Sequence, residues 1–441
     1  MTIYPLPPIA QTIGDTRISH RLVLDLLLKL MYVNGLQTAT ALVGSSRLSL
    51  QVVADMVEEM RDQQLIESLG SRPSAALQTA NAAGEMRYAL TSKGINWATE
   101  ALKQSGYVGP APVSLNDFKA QIARQRLTSE RVNREALDQS FKDLVLPEAV
   151  LAQLGPAANS GRSILLYGRA GNGKTCIAEA LGDCFEDLIV VPYCIEVDGQ
   201  IINFYDEHVH KMVETEADRA ADTASLTTLS GAVDRRWLHI RRPTAIVGGE
   251  LTLEMLDLLY NPTARFYEAP AHLKSMNGIF VIDDFGRQRT SPESILNRAI
   301  IPLERGIDYL SLHTGKKFPI PFDVLVVFSS NMHPADLGDE AMLRRIYYKI
   351  EIPLPTAQDY ALIWQQLAAQ RGFALPASTV PFLEDRYYRN PAIDRAGFHP
   401  KYFTDQVKAL CDFQGREFEL APDLLELAAK NLFAGQAGAI G

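Results

Sequence analysis

The feature that most constrains this sequence is a glycine-rich segment at residues 168–175, between a short apolar run and a stretch with helical spacing. Residues 164–167 are typical of a buried strand and residues 176–181 of a helix, which is the context that a phosphate-binding loop requires. The glycines let the backbone curl so that several N–H groups point at phosphate oxygens, and the start of the helix adds the positive end of its dipole. The sequence therefore predicts a nucleotide-binding domain of the α/β class.

Two side chains of this segment have predicted roles toward ATP and Mg²⁺. Lys174 is expected to reach the β- and γ-phosphates, and the Thr175 hydroxyl is expected to ligate the metal ion. The residues of the segment that we predict to bind the nucleotide are Gly168, Arg169, Ala170, Gly171, Asn172, Gly173, Lys174, Thr175 and Cys176.

Composition limits the other functional classes. The chain has 441 residues, 22% charged and 47% hydrophobic, which is ordinary for a soluble globular protein. A formal net charge of -9 argues against a protein that coats nucleic acid through a general positive field. The four cysteines show neither metal-ligand spacing nor a disulfide framework. With no secretory signal and no run long enough to span a membrane, we expect a cytoplasmic protein without membrane insertion.

The N-terminal part has its own pattern. Residues 1–17 are proline-rich and are expected to form a flexible arm, and residues 18–106 give three helices, a strand, a long loop, a strand and a helix. This order resembles a winged-helix domain, a fold that often binds DNA. The outward residues predicted for the third helix are Gln51, Asp55, Glu58, Glu59, Arg61 and Asp62. This acidic face would repel phosphates, so a structural or protein-binding role is favoured over DNA binding. Residues 107–140 are predicted to be a linker and a helix.

The segment that follows the phosphate loop contains two predicted hairpins. Asp198-Gly199 between apolar runs is a strong hairpin signal. A second hairpin is expected from residues 237–241 with residues 244–247. We place the core of the domain at residues 141–355, with insertions at 193–250.

Two further apolar strands end in polar residues. Residues 278–282 lead into Asp283 and Asp284; the first can hold Mg²⁺, and the second can orient and deprotonate the attacking water. Residues 324–328 lead into a polar cluster ending at Asn331, which can position the same water or act as a plain helix cap. A short helix then carries Arg344 and Arg345 into a final strand.

The phosphate loop, the Asp-Asp strand, the Ser-Ser-Asn strand and the Leu-Arg-Arg-Ile segment, in this order, resemble the AAA+ ATPase family from about residue 141 to the end. The resemblance implies that Asp283 is the Walker B residue, Asp284 the water activator and Asn331 sensor 1. It implies that Arg345, with Arg344 as the second choice, is an arginine finger that reaches a neighbouring subunit. The family more often has Glu as activator, and members resembling replication initiators also use Asp.

The resemblance also implies a helical lid, placed at residues 356–434, with a tail at 435–441. Sensor 2 is usually an Arg at the start of a late lid helix; here Lys401 occupies that place and is the candidate cofactor-binding residue. The whole chain is similar, more distantly, to MoxR-like and chaperone-like bacterial AAA+ proteins linked to pilus assembly.

Three functions agree with these features. The favoured one is an ATP-hydrolysing ring, expected to be a hexamer, that remodels or assembles an unidentified protein client. The first alternative is a DNA-associated ATPase, a loader, initiator or transcription regulator that is anchored by the winged helix. The second is a nucleotide-gated scaffold.

Overall fold

The computed structural model describes residues 1–72, 85–215, 233–338 and 340–434; the predicted tail at 435–441 lies outside them. The described chain combines an N-terminal helical region, a five-stranded parallel sheet flanked by helices, a second, mixed sheet and a C-terminal helical region. The predicted α/β fold class is confirmed. No helix within the described ranges is long and apolar enough to cross a membrane.

The N-terminal region is a small helical unit with one antiparallel pair of strands. Its elements are α1 His20–Asn34, α2 Ala39–Ser46, α3 Leu50–Asp62, β1 Ile66–Arg72, β2 Glu85–Leu90 and α4 Ser92–Gln104. A Ser or Thr precedes each helix and accepts a hydrogen bond from a first-turn N–H, which satisfies one of the donors that a helix start leaves unpaired. The identification of this unit as a winged helix stays a prediction.

The middle of the chain builds the central sheet and the mixed sheet. Its elements are β3 Val113–Ser114, α5 Leu115–Arg124, α6 Arg134–Ser140, α7 Glu148–Ser160, β4 Ile164–Tyr167, α8 Lys174–Asp183, β5 Leu188–Pro192, β6 Cys194–Val197, β7 Gln200–Asn203, β8 Trp237–Arg241, β9 Thr244–Val247, β10 Leu259–Asn261, β11 Phe266–Glu268, α9 Ala271–Lys274, β12 Ile279–Ile282, α10 Pro292–Arg305, β13 Ile307–Ser311, β14 Lys317–Pro321, β15 Leu325–Ser330, α11 Pro334–Leu337, α12 Glu340–Leu343 and β16 Tyr348–Glu351.

The central sheet has the strand order β16-β4-β15-β12-β9, and every pair in it is parallel. Strands such as β15 are buried along their whole length, because helices cover both faces of a parallel sheet. The first strand of the sheet in chain order, β4, lies between the last, β16, and β15. The carboxyl ends of β4, β12 and β15 therefore meet at one edge of the sheet.

The mixed sheet has the order β10-β11-β7-β6-β3. Its hairpin β6–β7 turns at Asp198 and Gly199, whose φ values of 54° and 76° fit the predicted turn, so the first hairpin is confirmed. Strand β3, from the segment predicted as a linker, pairs with β6. That segment is therefore built into the sheet.

The second predicted hairpin is wrong. Strand β8 pairs antiparallel with β5, whereas β9 joins the central sheet parallel to β12. The residues between β8 and β9 explain the difference. Arg242 is buried, and its guanidinium donates to the carbonyl oxygens of Gln125 and Asn277 at 3.1 and 2.8 Å. This anchor takes the chain from one sheet to the other.

The first residues of the chain, predicted to form a flexible arm, lie along β5. The Tyr4 N–H donates to the Leu188 carbonyl, and the Leu188 N–H donates to the Thr2 carbonyl, at 3.0 and 2.9 Å. Further along, the Asp234 N–H donates to Pro7. An extended, proline-containing segment suits this place, because a strand edge offers backbone groups that need partners.

The C-terminal region, called the lid below, has a core of its own that includes Trp364 and Phe403. Its elements are α13 Ala357–Arg371, α14 Thr379–Leu383, a π-helical turn Glu384–Tyr388, α15 His399–Gln414 and α16 Pro422–Leu432. Helix α13 begins with a capping box between Thr356 and Asp359.

Candidate active site

The phosphate loop follows β4 and turns directly into α8, as the sequence predicts. Gly168, Gly171 and Gly173 have φ values of 145°, 81° and 73°, in the region that favours glycine. At Gly168 a side chain is also excluded sterically, since a Cβ there would lie 2.3 Å from the Ile352 carbonyl oxygen. The loop backbone thus depends on glycine for both conformation and space.

Lys174, at the start of α8, is almost fully buried, with 6% of its surface exposed. Its ammonium donates to the carbonyl oxygens of Gly168 and Arg169, both at 2.9 Å, and to Asn331 Oδ1 at 2.7 Å. Burial lowers the pKa of Lys174 from its ordinary value, while two nearby carboxylates oppose that change. The lysine predicted to hold phosphate is therefore joined to the residue predicted as sensor 1.

The predicted metal ligands lie side by side. Asp283 follows β12, and its Oδ2 accepts a hydrogen bond from Thr175 Oγ1 at 2.7 Å. A hydroxyl and a carboxylate at the end of a buried strand are the oxygen donors that Mg²⁺ prefers beside phosphates. Within the described ranges no group of three or more His, Cys, Asp or Glu side chains could hold a metal ion. The Thr175–Asp283 pair fits a magnesium ion that completes its shell with phosphate and water oxygens.

Asp284 and Asn331 come together across the β12–β15 pair. Asn331 Nδ2 donates to Asp284 Oδ1 at 3.0 Å. Asp284 is exposed and has a φ of 48°, an uncommon conformation that Asp tolerates and that is found at functional sites. Because Asn331 also contacts Lys174, one amide connects the phosphate loop to the predicted water activator.

The remaining predicted binding residues of the loop differ in exposure. Arg169 and Ala170 are exposed, and Asn172 is 9% exposed. Lys401 lies in the first turn of α15. Burial raises the pKa of the Cys176 thiol, and the positive charge of Lys401 acts in the opposite direction. Because the Phe398 N–H donates to the Gly171 carbonyl oxygen, Lys401 lies three residues along the chain from a contact with the loop.

The two predicted arginine fingers are not at this edge. They lie beside Ser163, before β4, whereas the phosphate loop follows β4, about 13 Å of strand further on. Arg345 Nε lies 3.3 Å from Glu304 Oε1 in the same chain, and Arg344 is exposed. The structure thus separates both arginines from this chain's own loop.

Further arginines lie at both edges of the sheet. The cleft around the two arginines, about 710 Å³ in volume, is lined by three more arginines: Arg126, Arg162 and Arg305. At the loop, the positive charge of Arg287 contributes to the lowered pKa of Lys174, after burial. Arg287 belongs to a group of basic residues after the Asp-Asp strand, for which the sequence alone leaves open contact with nucleotide or pairing with local acids. Arg126 and Arg162 come from separate segments, so no local pattern joins them.

A phosphate loop, an acidic strand end and a polar strand end at one edge of a parallel sheet define the class of phosphate-loop nucleotide-binding folds. A family model described as a domain of unknown function, DUF8689, matches residues 356–431. The match lies within the lid and does not include the phosphate loop. No curated protein matches the chain.

Several solved structures are similar in part. NtrX from Brucella abortus in complex with ADP is 14% identical, with a TM-score of 0.39, and the match covers 76% of this chain and 65% of NtrX. The RuvB Holliday junction branch migration motor of Thermotoga maritima is 12% identical, with a TM-score of 0.34, over 68% of this chain and 70% of RuvB. Domain III of the Thermotoga maritima replication initiation protein DnaA is 14% identical, with a TM-score of 0.35, over 68% of this chain and 98% of that domain. Both the sequence identities and the TM-scores are low, so the fold class rests on the parallel sheet and on the geometry of the site.

Proposed function

We propose that this chain is an AAA+ ATPase that hydrolyses ATP to ADP and phosphate at the site around Lys174. The observation that carries the proposal is the contact of Asn331 with both Lys174 and Asp284 at the sheet edge where Thr175 and Asp283 also meet. The Asp284 N–H also donates to Asp283 Oδ1 at 3.0 Å, so the predicted phosphate holder, metal ligands and water activator belong to one hydrogen-bonded group. The parallel sheet supports the same class, because it brings the carboxyl ends of β4, β12 and β15 to one edge.

Each residue of the site is proposed to have a separate role in hydrolysis. Lys174 exchanges the loop carbonyls for β- and γ-phosphate oxygens, and the loop N–H groups donate to the same phosphates. Asp284 accepts a proton from the water whose oxygen bonds to the γ-phosphorus, while the bond to the β-phosphate oxygen breaks and ADP leaves with the electron pair. Asn331 holds the Asp284 carboxylate in place for this transfer.

Thr175 and Asp283 would hold Mg²⁺, which when bound neutralises negative charge on the β- and γ-phosphates. The short contact between the Thr175 hydroxyl and Asp283 supports this role, because it keeps both oxygens at the same place beside the loop.

We further propose that a second copy of the chain completes the site, in a ring that we expect to be hexameric. Arg344 and Arg345 lie at the opposite edge of the sheet from their own loop, so they can meet phosphate only on another copy. A positive charge supplied in this way increases the rate of phosphoryl transfer by about 10³- to 10⁵-fold in enzymes that use it.

The ring is proposed to remodel or assemble a protein client. The exposed face of α3 supports a protein partner over DNA, because Asp55, Glu58 and Asp62 are exposed there. Arg61, on the same face, lies 3.7 Å from Glu58 and 3.9 Å from Asp62, so its charge is partly neutralised. Salt-dependent binding to duplex DNA would favour the DNA-associated alternative.

The proposal is tested with purified chain, ATP and Mg²⁺, by phosphate release and by titration with a fluorescent ATP analogue. Lys174→Ala is expected to abolish binding, since the phosphates lose their buried cation. Lys408→Ala, which removes an exposed lysine of the lid, is the matched control and should bind as the unmodified chain does. Tight ATP binding by the Lys174→Ala protein would refute the assignment.

A further inference from the structure

A short segment of the lid, residues 394–398, lies directly on the phosphate loop; we call it the strap. The Phe398 N–H donates to the Gly171 carbonyl oxygen at 2.9 Å, and the Gly397 N–H donates to Asn172 Oδ1 at 3.1 Å. An ion pair between Asp394 and Arg169 adds a third contact. The lid is therefore hydrogen-bonded to the tip of the loop and not only placed beside it.

Packing at this contact leaves no space. A Cβ on Gly171 would lie 2.2 Å from Phe398 Cδ1, so the ring of the strap occupies the position that a side chain of the loop would take. Asn172 is 91% buried, and its Nδ2 has no hydrogen-bond partner in the described part of the chain. The bond to Gly397 thus positions the Asn172 amide, because its donor end has no acceptor.

The other side of the strap is fixed to the lid. Arg395 Nε donates to Glu384 Oε1 at 2.8 Å, in the π-helical turn. The next residue after the strap, His399, is buried, and its Nδ1 lies 2.8 Å from the Tyr388 hydroxyl, which is 2.9 Å from that of Tyr360 in α13. A strap anchored in this way moves with the helices of the lid.

We propose that the strap transmits nucleotide occupancy of the phosphate loop to the position of the lid, with Asn172 and Phe398 as positioning residues. The proposal rests on the proposed function, since it requires that ATP binds at the loop. The peptide unit between Gly171 and Asn172 is part of the predicted phosphate cradle; its carbonyl oxygen accepts from Phe398, and the Asn172 side chain, carried on the same peptide, accepts from Gly397. A change in the loop that turns its N–H groups toward phosphate necessarily displaces these acceptors, and the strap follows them.

This route differs from a lid cation that senses the γ-phosphate by its charge. Such a cation acts across the nucleotide and needs no contact between lid and loop. The strap acts through hydrogen bonds that are present in the chain itself, so the lid responds even when Lys401 is replaced by alanine.

The experiment measures intramolecular energy transfer between a dye on the core and a dye on the lid. Residues with an azide side chain, introduced at the exposed positions Ala152 in α7 and Lys408 in α15, carry the dyes, so that the exposed Cys176 of the predicted nucleotide site is neither replaced nor labelled. Saturating ATPγS with Mg²⁺ is expected to change the efficiency of energy transfer between the two dyes in the labelled chain whose strap is unmodified. The affinity for ATPγS is measured separately on the same proteins.

In Asn172→Ala the change in efficiency is expected to fall below half of its full size, at ATPγS concentrations that saturate the variant. Phe398→Ala tests the same coupling from the lid side, without changing a loop residue. Phe413→Ala is the matched control: it removes an aromatic ring that is 90% exposed near the end of α15, the helix that follows the strap. This variant should retain the full change in efficiency.

The outcomes separate the two proposals. A full change in efficiency in both Asn172→Ala and Phe398→Ala would overturn the strap as the route, as would an unmodified chain that binds ATPγS without any change. Loss of the response in the strap variants, but not in Lys401→Ala, supports it. An unmodified chain that does not bind ATPγS would instead refute the proposed function, independently of the strap.

Discussion

Replacing Asn331 by alanine removes two hydrogen bonds to charged partners, one to Lys174 at 2.7 Å and one to Asp284 at 3.0 Å. A hydrogen bond to a charged group contributes about 1.5–3 kcal/mol. Lys174 keeps two loop carbonyls as partners, so ATP binding should change little. Asp284 loses the only side-chain donor that the structure gives it within the described residues. We therefore expect Asn331→Ala to slow the hydrolysis step and to lower kcat by about 10- to 150-fold.

The assay is phosphate release at saturating ATP, with ATP affinity measured by fluorescence titration. Asn297→Ala makes the same change on an exposed face of α10 and should leave kcat unchanged. Asn331→Asp keeps an acceptor for Lys174 but places a second carboxylate beside Asp284, and should lose at least as much activity. If kcat of Asn331→Ala stays within about twofold of the unmodified chain, the amide does not position Asp284 and the reasoning is refuted.

Three further results are expected. Asp284→Asn should still bind ATP but retain it unhydrolysed; unchanged turnover would remove Asp284 from its role. If Arg345 or Arg344 contacts the phosphates of a neighbouring subunit, its replacement by alanine should inactivate the protein. Mixing that variant with inactive Lys174→Ala protein should then restore part of the activity. No recovery at any ratio counts against a shared site. Burial lowers the pKa of His399 to about 4. As the pH falls below about 6.5, this imidazole takes up a proton in the unfolded chain but not in the folded chain. The free energy of unfolding should therefore fall by up to about 3 kcal/mol between pH 6.5 and 4. His399→Gln should flatten that part of a denaturation-against-pH curve, and an unchanged slope would contradict it.

Much of the site could be predicted because each part of it is local in sequence. The phosphate loop needs only a strand, glycines and a helix in succession, and Asp283 and Asn331 each follow a continuous apolar run. Parallel strands place their carboxyl ends at one edge, so the contact of Asn331 with Lys174 follows once the strands are neighbours. That neighbourhood is a property of the whole sheet, and no single segment specifies it.

What could not be predicted depends on partners that are distant in sequence. The strap meets Asn172 from more than 200 residues away, and neither segment alone has a pattern that indicates the other. The expected second hairpin failed for a similar reason. Its two strands are separated by only two residues, but the buried anchor of Arg242 on Gln125 and Asn277 decides which sheet each one joins.

The pairing of the first residues with β5 has a consequence for solubility. Residues 188–192 are all buried and form a continuous apolar strand, and the outer N–H and carbonyl groups of Leu188 at its start pair with Thr2 and Tyr4. Removing the first eight residues would leave these groups of Leu188 unpaired at the edge of the strand, and an uncovered apolar edge is a template for pairing with the same edge of another molecule. We expect such a truncated chain to aggregate at concentrations at which the chain with these residues stays monodisperse, as light scattering would show.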